Sequence, residues 1–181
     1  GDVYKRQMQI SSKEKEHNTN EYWERYLSDY SNCIRLPQNS IRKNEYILKE
    51  LKFVINSDET KRITELVKKY HVTTNTIFQS IIGVLLMKLN GSDDVVYSSI
   101  VSNRPMGLAN IQNVMGLFIN TLPVRIRATP LTRFCELITN VQEDNFEKEQ
   151  HNYGSFVEIL ANIKSKEEIN NILYVFENFP N

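Results

Sequence analysis

Apolar residues recur at helical spacing in several stretches of the chain, and each such stretch predicts a helix. Between Glu21 and Tyr30 they form one wide stripe, as in an amphipathic helix. Between Asn75 and Leu89 they surround the helix axis almost completely, which is typical of a helix at the centre of a core. The predicted helices lie at about Glu21–Tyr30, Ser57–His71, Asn75–Leu89, Leu131–Glu149 and Phe156–Ile163.

Two of these helices carry capping signals at their ends. Ser57 is predicted to be the N-cap of the second helix, because two acidic residues follow it in the first turn. The third helix is predicted to be capped by Thr73 or Thr74 and to end at Asn90–Gly91.

Runs of alternating or β-branched residues predict strands. The segment Tyr46–Ile55 alternates, with a phase slip near Lys49–Glu50 that indicates a bulge. The other predicted strands lie at about Asp94–Val101, Leu117–Arg127 and Ile172–Phe176. Because strands and helices alternate along the chain, we predict an α/β fold with a mixed sheet.

The composition is that of a folded protein without a bias toward nucleic acid or membrane. Hydrophobic residues make up 40% of the 181 residues, enough for the core of one domain or one large lobe. Lys and Arg together number 22, as do Asp and Glu, so no net charge favours nucleic acid or an anionic membrane surface. The longest apolar run, Ile81–Met87, is too short to span a bilayer.

The two cysteines and the polar N-terminus predict a cytoplasmic protein. Cys33 and Cys135 lie far apart in sequence and form no CxxC pattern, so we expect two free structural thiols. The N-terminal residues contain no apolar stretch of the kind that a secretory signal requires.

The first twenty residues differ in character from the rest. Residues 1–7, GDVYKRQ, resemble a translated transposon end, which predicts a non-native scar; an ordinary disordered N-terminus is the alternative. Residues 8–20 are polar and lack periodicity, which predicts a linker or a frayed entry. The folded part is therefore expected to be residues 21–181.

Common catalytic and cofactor motifs are missing from the sequence. It contains no GxxxxGK[ST], no GxGxxG and no GxSxG. None of the three histidines, His17, His71 and His151, has a second His or Cys at metal-ligand spacing, so no metal site is predicted. No pair of carboxylates stands out for acid–base catalysis.

The most informative segment is Met115–Arg125, which reads MGLFINTLPVR. A glycine turn leads into an apolar run, which predicts a buried strand, yet Asn120 and Thr121 interrupt that run. A buried amide without a partner costs about 1–3 kcal/mol, and Asn is disfavoured in strands. We therefore expect Asn120 to face a cleft or a specific polar partner.

This segment resembles the GxFxNTxPxR signature of nonribosomal peptide synthetase condensation domains. Other stretches resemble further parts of the same domains in the same order, so that the resemblance covers about Glu21–Asn181. They are YWERYL at 22–27 with LP at 36–37, TNTI at 74–77, GSDDVVYSSIVSNRP at 91–105, the region 146–159, and YVFENFP at 174–180.

The resemblance implies a fold like that of chloramphenicol acetyltransferase, in which two lobes of similar design enclose a channel. This chain would be the C-terminal lobe only, a two-layer sandwich with a mixed sheet packed against helices. In the family, the first lobe carries HHxxxDG, whose second histidine acts on the attacking amine or stabilises the tetrahedral intermediate. The chain contains no HHxxxDG, so no catalytic residue is expected in it and it should be inactive alone.

The implied reaction is amide bond formation between a donor acyl or peptidyl thioester and the amine of an acceptor aminoacyl thioester. Phosphopantetheine arms of carrier proteins hold both substrates, so no cofactor is expected to bind this chain directly. The implied partners are the missing N-terminal lobe, the upstream and downstream peptidyl carrier proteins and a neighbouring adenylation domain. Nucleic acid and membrane are not expected as partners.

The resemblance also assigns roles to single residues. Asn120 and Thr121 would line the substrate channel, and Arg125 would pair with a carboxylate that fixes the strand. The other motif residues, expected to be structural, are Gly116, Pro123, Arg104 and Pro105. Asn103 stands where the family has Gly, and Gly154–Ser155 stands where it has Tyr and Pro, so we expect no direct role for that later motif.

Two other interpretations remain open. The chain could belong to a carrier-protein docking or scaffold module without chemistry, or to a related acyltransferase or epimerisation domain, although INTLP resembles condensation domains more closely. An intact HHxxxDG upstream would favour the condensation domain. Because half of a two-lobed fold exposes the face that packs on its partner, we expect the isolated chain to be marginally stable or to self-associate.

Overall fold

A computed structural model of the chain describes residues 13–32, 34–37, 48–102, 119–152, 154–161 and 172–177, with side chains from residue 18 onward. The helices of this part are α1 (Lys13–Leu27), α2 (Ser57–Tyr70), α3 (Thr74–Asn90), α4 (Phe134–Glu149) and α5 (Phe156–Ala161). Its strands are β1 (Asp94–Ser102), β2 (Ile119–Arg127) and β3 (Leu173–Tyr174).

The three strands form one mixed sheet in the order β2-β1-β3. β1 pairs with β2 in the antiparallel sense, with Val96 opposite Arg125, and with β3 in the parallel sense, with Ser98 opposite Leu173. The predicted α/β class with a mixed sheet is therefore confirmed.

Helices pack on both faces of this sheet because successive side chains of a strand point to opposite faces. On one face, Val96 packs with aromatic residues of α1 and with α5. On the other face, Tyr97 and Val124 pack with α3 and α4. The central strand β1 thus contributes to two hydrophobic clusters.

α3 approaches the sheet closely, as expected for a core helix. A Cβ atom on the buried Gly83 would lie 2.7 Å from the side chain of Ile126, so no larger residue fits there without a shift of the neighbours. The helix is capped by Thr73 and ends at Gly91, as predicted. One side of it is nevertheless exposed, since Ile81, Leu85 and Leu89 form a stripe that is 44–49% exposed.

α2 is capped one residue earlier than predicted. Asn56 is the N-cap instead of Ser57, and its side chain accepts hydrogen bonds from the backbone N–H groups of Asp58 and Glu59. The Glu59 carboxylate accepts from the Asn56 N–H in return, which completes a capping box. At the other end, His71 closes the helix in the left-handed conformation, with a φ of 55°.

α1 begins earlier and ends sooner than the predicted Glu21–Tyr30. It spans Lys13–Leu27, so the predicted linker 8–20 is helical from Lys13 onward. The lysines and glutamates of its first turns have high helix propensity but no apolar stripe, which is why periodicity did not reveal them. The assignment of residues 1–7 as a scar stays a prediction, because it lies outside the described residues.

The predicted strand Tyr46–Ile55 is wrong in its described part. Its described residues form neither helix nor strand, and Phe53 and Val54 are 86% and 91% exposed. An alternating sequence forms a strand only where a neighbour completes its hydrogen bonds, and the described sheet contains no such neighbour. We refer to Leu48–Ile55 as the exposed apolar segment.

The remaining element ends differ from prediction by a few residues. β1 extends to Ser102, and β3 comprises two residues only. α4 begins at Phe134 instead of Leu131, because a turn closed by the bond from the Thr132 N–H to the Thr129 carbonyl precedes it. Several positions in the predictions lie outside the described residues: Arg104, Pro105, Gly116, Leu117 and Ile163.

Within the described residues, no single helix is long and apolar enough to cross a membrane. Only α2 and α3 taken together reach the required length and composition, and they meet at an angle of 103°.

The exposed apolar segment predicts self-association of the isolated chain. Burying a Phe or Val side chain stabilises a contact by about 1.5–3 kcal/mol, so Phe53→Ser with Val54→Ser should weaken association by about tenfold or more. The free energy of unfolding should not fall, because neither side chain is packed. Sedimentation velocity over a concentration series measures the first effect and urea unfolding the second.

The matched control for this experiment is Leu131→Ser, since Leu131 is 91% exposed but lies outside the segment. The prediction is contradicted if the double variant associates as strongly as the parent chain, or if Leu131→Ser weakens association equally.

Candidate functional site

A buried arginine on β2 joins three elements. Arg125 is 3% exposed, and its guanidinium donates to both carboxylate oxygens of Asp94 at the start of β1, with Nε 2.8 Å from Oδ1. Its Nη1 donates to the backbone oxygen of Tyr26 at 2.8 Å and to the carboxylate of Asp29. These four residues, here called the Arg125 cluster, fasten the end of α1 to β1 and β2. The carboxylate pairing expected for Arg125 is present.

The two carboxylates of the cluster differ in their exposure to water. Burial opposes the charged form of Arg125, but its hydrogen bonds to Asp94 and Asp29 outweigh burial and hold the pKa of Arg125 above its ordinary value. The hydrogen bond from Arg125 lowers the pKa of Asp29. The Asp94 side chain is 17% exposed and that of Asp29 is 66% exposed. Asp94 is therefore the stronger partner, since its contact is bidentate and shielded.

Aromatic hydroxyl groups complete the backbone hydrogen bonds at both sides of β1 and β2. The Tyr26 hydroxyl accepts from the Arg125 N–H at 2.9 Å and donates to the Arg125 carbonyl at 3.3 Å. The Tyr30 hydroxyl accepts from the Val96 N–H at 3.3 Å. These bonds take the place of a neighbouring strand and protect the sheet edge.

Lys148 on α4 is buried beside the Arg125 cluster. It is 5% exposed, and its Nζ lies 3.5 Å from the Tyr26 hydroxyl and over the Tyr26 ring. Burial lowers the pKa of Lys148 to about 8, against a smaller opposite effect of Asp144. Burial also raises the pKa of Asp144, so both groups are held in water-poor surroundings that disfavour charge.

Asn120 binds a loop of its own chain. Its Nδ2 donates to the backbone oxygens of Asn152 and Gly154 at 2.8 and 3.0 Å, and its Oδ1 accepts from the Thr121 N–H at 2.9 Å. The expected polar partner is therefore the loop between α4 and α5. Because the amide is satisfied within the chain, its channel-lining role stays a prediction.

The same loop is held tightly against α1. The indole Nε1 of Trp23 donates to the His151 carbonyl at 3.1 Å. A Cβ atom on Gly154 would lie 3.1 Å from the methyl group of Thr19 and 3.4 Å from Trp23 Nε1. The glycine that departs from the family motif thus permits this close approach.

His151 is a packing residue in this arrangement. Its ring stacks on Tyr22 with centroids 4.1 Å apart, and its Nδ1 is buried without a hydrogen-bond partner. Burial lowers the pKa of His151, which favours the neutral ring.

His71 lies exposed at the end of α2. No group of three or more His, Cys, Asp or Glu side chains in the described part of the chain could hold a metal ion.

The other predicted site residues are only partly accounted for. Thr121 is half-buried on β2 opposite Ile100, and Pro123 is buried opposite Ser98. The roles of Gly116, Arg104 and Pro105 stay predictions, because these residues lie outside the described ranges.

The sequence did not reveal the partners of Arg125. Asp94 belongs to the DDVV stretch that the resemblance had identified, whereas Asp29 lies two residues after YWERYL and outside every quoted motif. The spacing along the chain does not show which acid lies across the sheet from Arg125, since that depends on strand register. Nothing in the YWERYL motif indicated that the hydroxyl of its second tyrosine, Tyr26, binds β2.

Comparisons with known proteins identify the family. The family model of the condensation domain matches residues 1–181. A plipastatin synthase of Bacillus subtilis (strain 168) is 36% identical over 179 residues, which are 98% of this chain and 7% of that protein. Gramicidin S synthase 2 of Brevibacillus brevis is 34% identical over 161 residues, 88% of this chain and 4% of that protein.

Solved structures share the fold. The first condensation domain of the CDA synthetase matches with a TM-score of 0.73 and 16% identity, over 91% of this chain and 36% of that one. The four-domain nonribosomal peptide synthetase holo-AB3403 matches with a TM-score of 0.71 and 19% identity, over 89% of this chain and 13% of that one. The chain belongs to the condensation domain family of nonribosomal peptide synthetases and has its chloramphenicol acetyltransferase-like fold.

The unequal exposure of the two carboxylates in the Arg125 cluster predicts that they contribute unequally to the free energy of unfolding. Asp94→Asn should lower the free energy of unfolding by about 2 kcal/mol or more, because it weakens a shielded bidentate contact to a buried cation. Asp29→Asn, the matched control, should cost less than about 1 kcal/mol, as for an exposed ion pair. Urea unfolding followed by the fluorescence of Trp23 measures both; equal losses would contradict the assignment.

The buried Lys148 predicts that stability rises with pH in the alkaline range. The pKa of Lys148 is about 8 in the folded chain and ordinarily 10.5. Between these two pH values the unfolded chain keeps a proton on Lys148 that the folded chain has lost, so the free energy of unfolding increases as pH rises. Above about pH 10 the trend should reverse, because Tyr22 and Tyr26 have raised pKa values in the folded chain. The free energy of unfolding, measured between pH 7 and pH 10, should show this rise.

The variant Lys148→Met should abolish that rise and keep the chain folded, since Met fills a similar volume. Lys88→Met, at an exposed position of α3, is the control and should retain it. A rise that survives in Lys148→Met would show that another group causes it.

Proposed function

We propose that this chain is the C-terminal lobe of a peptide-bond-forming condensation domain. The complete domain joins a donor acyl or peptidyl thioester to the amine of an acceptor aminoacyl thioester. Both substrates reach it on the phosphopantetheine arms of peptidyl carrier proteins. In the reaction, the amine nitrogen forms a C–N bond with the thioester carbon, the C–S bond breaks, and the amine proton ends on the departing pantetheine thiol.

The observation that carries this proposal is the family match over residues 1–181, combined with the lack of HHxxxDG in those residues. The chain also covers 36% of the first condensation domain of the CDA synthetase, a share that fits one lobe of two. We therefore place the catalytic histidine in a preceding N-terminal lobe and expect the chain alone to be inactive.

The role of this lobe in the proposal is to shape one wall of the channel. The Arg125 cluster fixes one end of β2 to α1, and Asn120 fixes the other end to the loop between α4 and α5. Thr121 is the better candidate for direct contact with a substrate or arm, because its hydroxyl binds none of the described residues. Asn120 would act by positioning the loop.

The direct test uses the complete domain that contains this chain, with its upstream sequence restored. The domain is incubated with a donor-loaded and an acceptor-loaded carrier protein, and intact-protein mass spectrometry follows transfer of the donor group to the acceptor. We expect transfer with the complete domain, and loss of at least about a hundredfold in rate when the second histidine of HHxxxDG is changed to Ala.

Two controls make this test specific. The 181-residue chain alone should give no transfer. Thr121→Val, which keeps the shape of a strand residue, should change the rate without lowering stability. If the upstream sequence lacks HHxxxDG, or if the histidine substitution leaves the rate unchanged, the chain is part of a docking scaffold and the proposal fails.

A further inference from the structure

Trp23 of the YWERYL motif is a buried residue to which the proposed reaction assigns no role. Its side chain is 1% exposed and belongs to the hydrophobic cluster that joins α1 and α5 to β1 and β2. Its indole Nε1 donates to the carbonyl of His151, 3.1 Å away in the loop between α4 and α5. Trp23 is therefore a direct link between α1 and that loop.

The same loop has a second anchor on the strand that carries the family signature. Asn120 Nδ2 donates to the carbonyls of Asn152 and Gly154 at 2.8 and 3.0 Å. The carbonyls bound by Trp23 and by Asn120 all lie within residues 151–154. A displacement of the loop that breaks the bond to Trp23 therefore also disturbs the bonds to Asn120.

The contact between the loop and its neighbours leaves little spare room. A Cβ atom on Gly154 would lie 3.1 Å from the methyl group of Thr19 and 3.2 Å from Cδ1 of Ile159. It would lie 3.4 Å from Nε1 of Trp23. A single added methyl group would thus push the loop away from α1 or α5. The position of the loop is set closely, with the indole on one side and the Asn120 amide on the other.

This position of the loop also has a cost. The ring of His151 stacks on Tyr22 with centroids 4.1 Å apart. In that packing His151 Nδ1 and the Tyr22 hydroxyl are buried, and no described residue provides either with a hydrogen-bond partner. Buried polar atoms without partners oppose burial. The hydrogen bonds from Trp23 and Asn120 are therefore needed to hold the loop in place.

We propose that Trp23 is a positioning residue for the condensation reaction and acts on Asn120 and Thr121 through the loop between α4 and α5. This role rests on the proposed function. Asn120 Oδ1 accepts from the Thr121 N–H at 2.9 Å, so one amide connects the loop to the residue proposed to contact a substrate or arm. When the indole bond is lost, the loop shifts, the Asn120 amide loses its fixed orientation, and Thr121 leaves the geometry that favours transfer. Because Trp23 is itself buried, it acts only through these contacts.

The first test is the transfer assay on the complete domain with its upstream sequence restored. Trp23→Phe keeps an aromatic ring and removes the N–H donor, and it should lower the transfer rate by about tenfold or more. Replacing Trp23 by benzothienylalanine, in which sulfur takes the place of the indole N–H, keeps the size of the ring and should cause the same loss. Rates are compared at a temperature at which circular dichroism shows every variant folded.

The matched control is Tyr30→Phe. Tyr30 belongs to the same hydrophobic cluster, and its hydroxyl binds the Val96 N–H in the middle of the sheet instead of the loop. This variant also loses one aromatic hydrogen bond, so its stability falls in a comparable way, but its transfer rate should change by less than about twofold.

A double variant tests whether Trp23 and Asn120 act through one loop. Asn120→Ala removes the second anchor and should also lower the transfer rate. If both residues position the same loop, Trp23→Phe with Asn120→Ala should be no more than about threefold slower than the slower single variant. Two independent sites would instead give the product of the two losses.

The titration of His151 reports the position of the loop without any activity. Burial holds the pKa of His151 below its ordinary value of 6.5, with a smaller opposite effect of Glu147 and a small further lowering by Arg25. Release of the loop exposes the ring, so both Trp23 variants of the 181-residue chain should raise the pKa of His151 toward 6.5. Tyr30→Phe should leave it unchanged. NMR of labelled histidine measures the titration.

Transfer at the parent rate in both Trp23 variants would overturn the positioning role, as would an equal loss in Tyr30→Phe or multiplied losses in the double variant. An unchanged pKa of His151 in both Trp23 variants would overturn it as well, whatever the transfer assay gives. If the unaltered complete domain transfers nothing, the proposed function fails and the role of Trp23 in it fails too. Transfer by the unaltered domain together with full-rate Trp23 variants overturns the positioning role alone.

Discussion

The buried guanidinium of Arg125 is the interaction on which the described structure depends. It ties β2 to the first residue of β1 through Asp94 and to the end of α1 through Tyr26 and Asp29. A buried ion pair adds little net stability over well-packed apolar residues, but removing one partner leaves an unmatched charge in the interior. The cluster therefore works mainly by selecting one arrangement. In the observed register of β1 against β2, and with α1 in its observed position, the guanidinium makes four hydrogen bonds to Asp94, Tyr26 and Asp29.

The second fixed point of β2 is Asn120, near the opposite end of the strand. It holds the loop between α4 and α5, and Trp23 of α1 holds the same loop from its other side. Two polar residues of the family signature thus have internal partners in this chain. Through these two residues, one strand of the signature is hydrogen-bonded both to α1 and to the loop between α4 and α5. Thr121 is left as the signature residue with a free side-chain hydroxyl among the described residues.

The sequence predicted those helices and strands whose positions depend on the residues within them. Apolar periodicity and caps located α2, α3, β1 and β2 to within a few residues, and the amide of Asn120 was correctly expected to need a polar partner. Features that depend on distant residues were missed. Leu48–Ile55 alternates like a strand but has no neighbour in the described sheet, and the first turns of α1 are helical without an apolar stripe. The partners of Arg125 were also missed, because strand register brings them together and spacing along the chain does not.

A crystal structure of the complete domain containing this chain tests the account most directly. The account predicts that the proposed N-terminal lobe packs beside this one. It also predicts that Arg125 remains bound to Asp94 and Asp29, and that Asn120 Nδ2 remains within hydrogen-bond distance of the Asn152 and Gly154 carbonyls. An Asn120 amide turned away from the loop and into an open channel, or an Arg125 freed from Asp94, would contradict it.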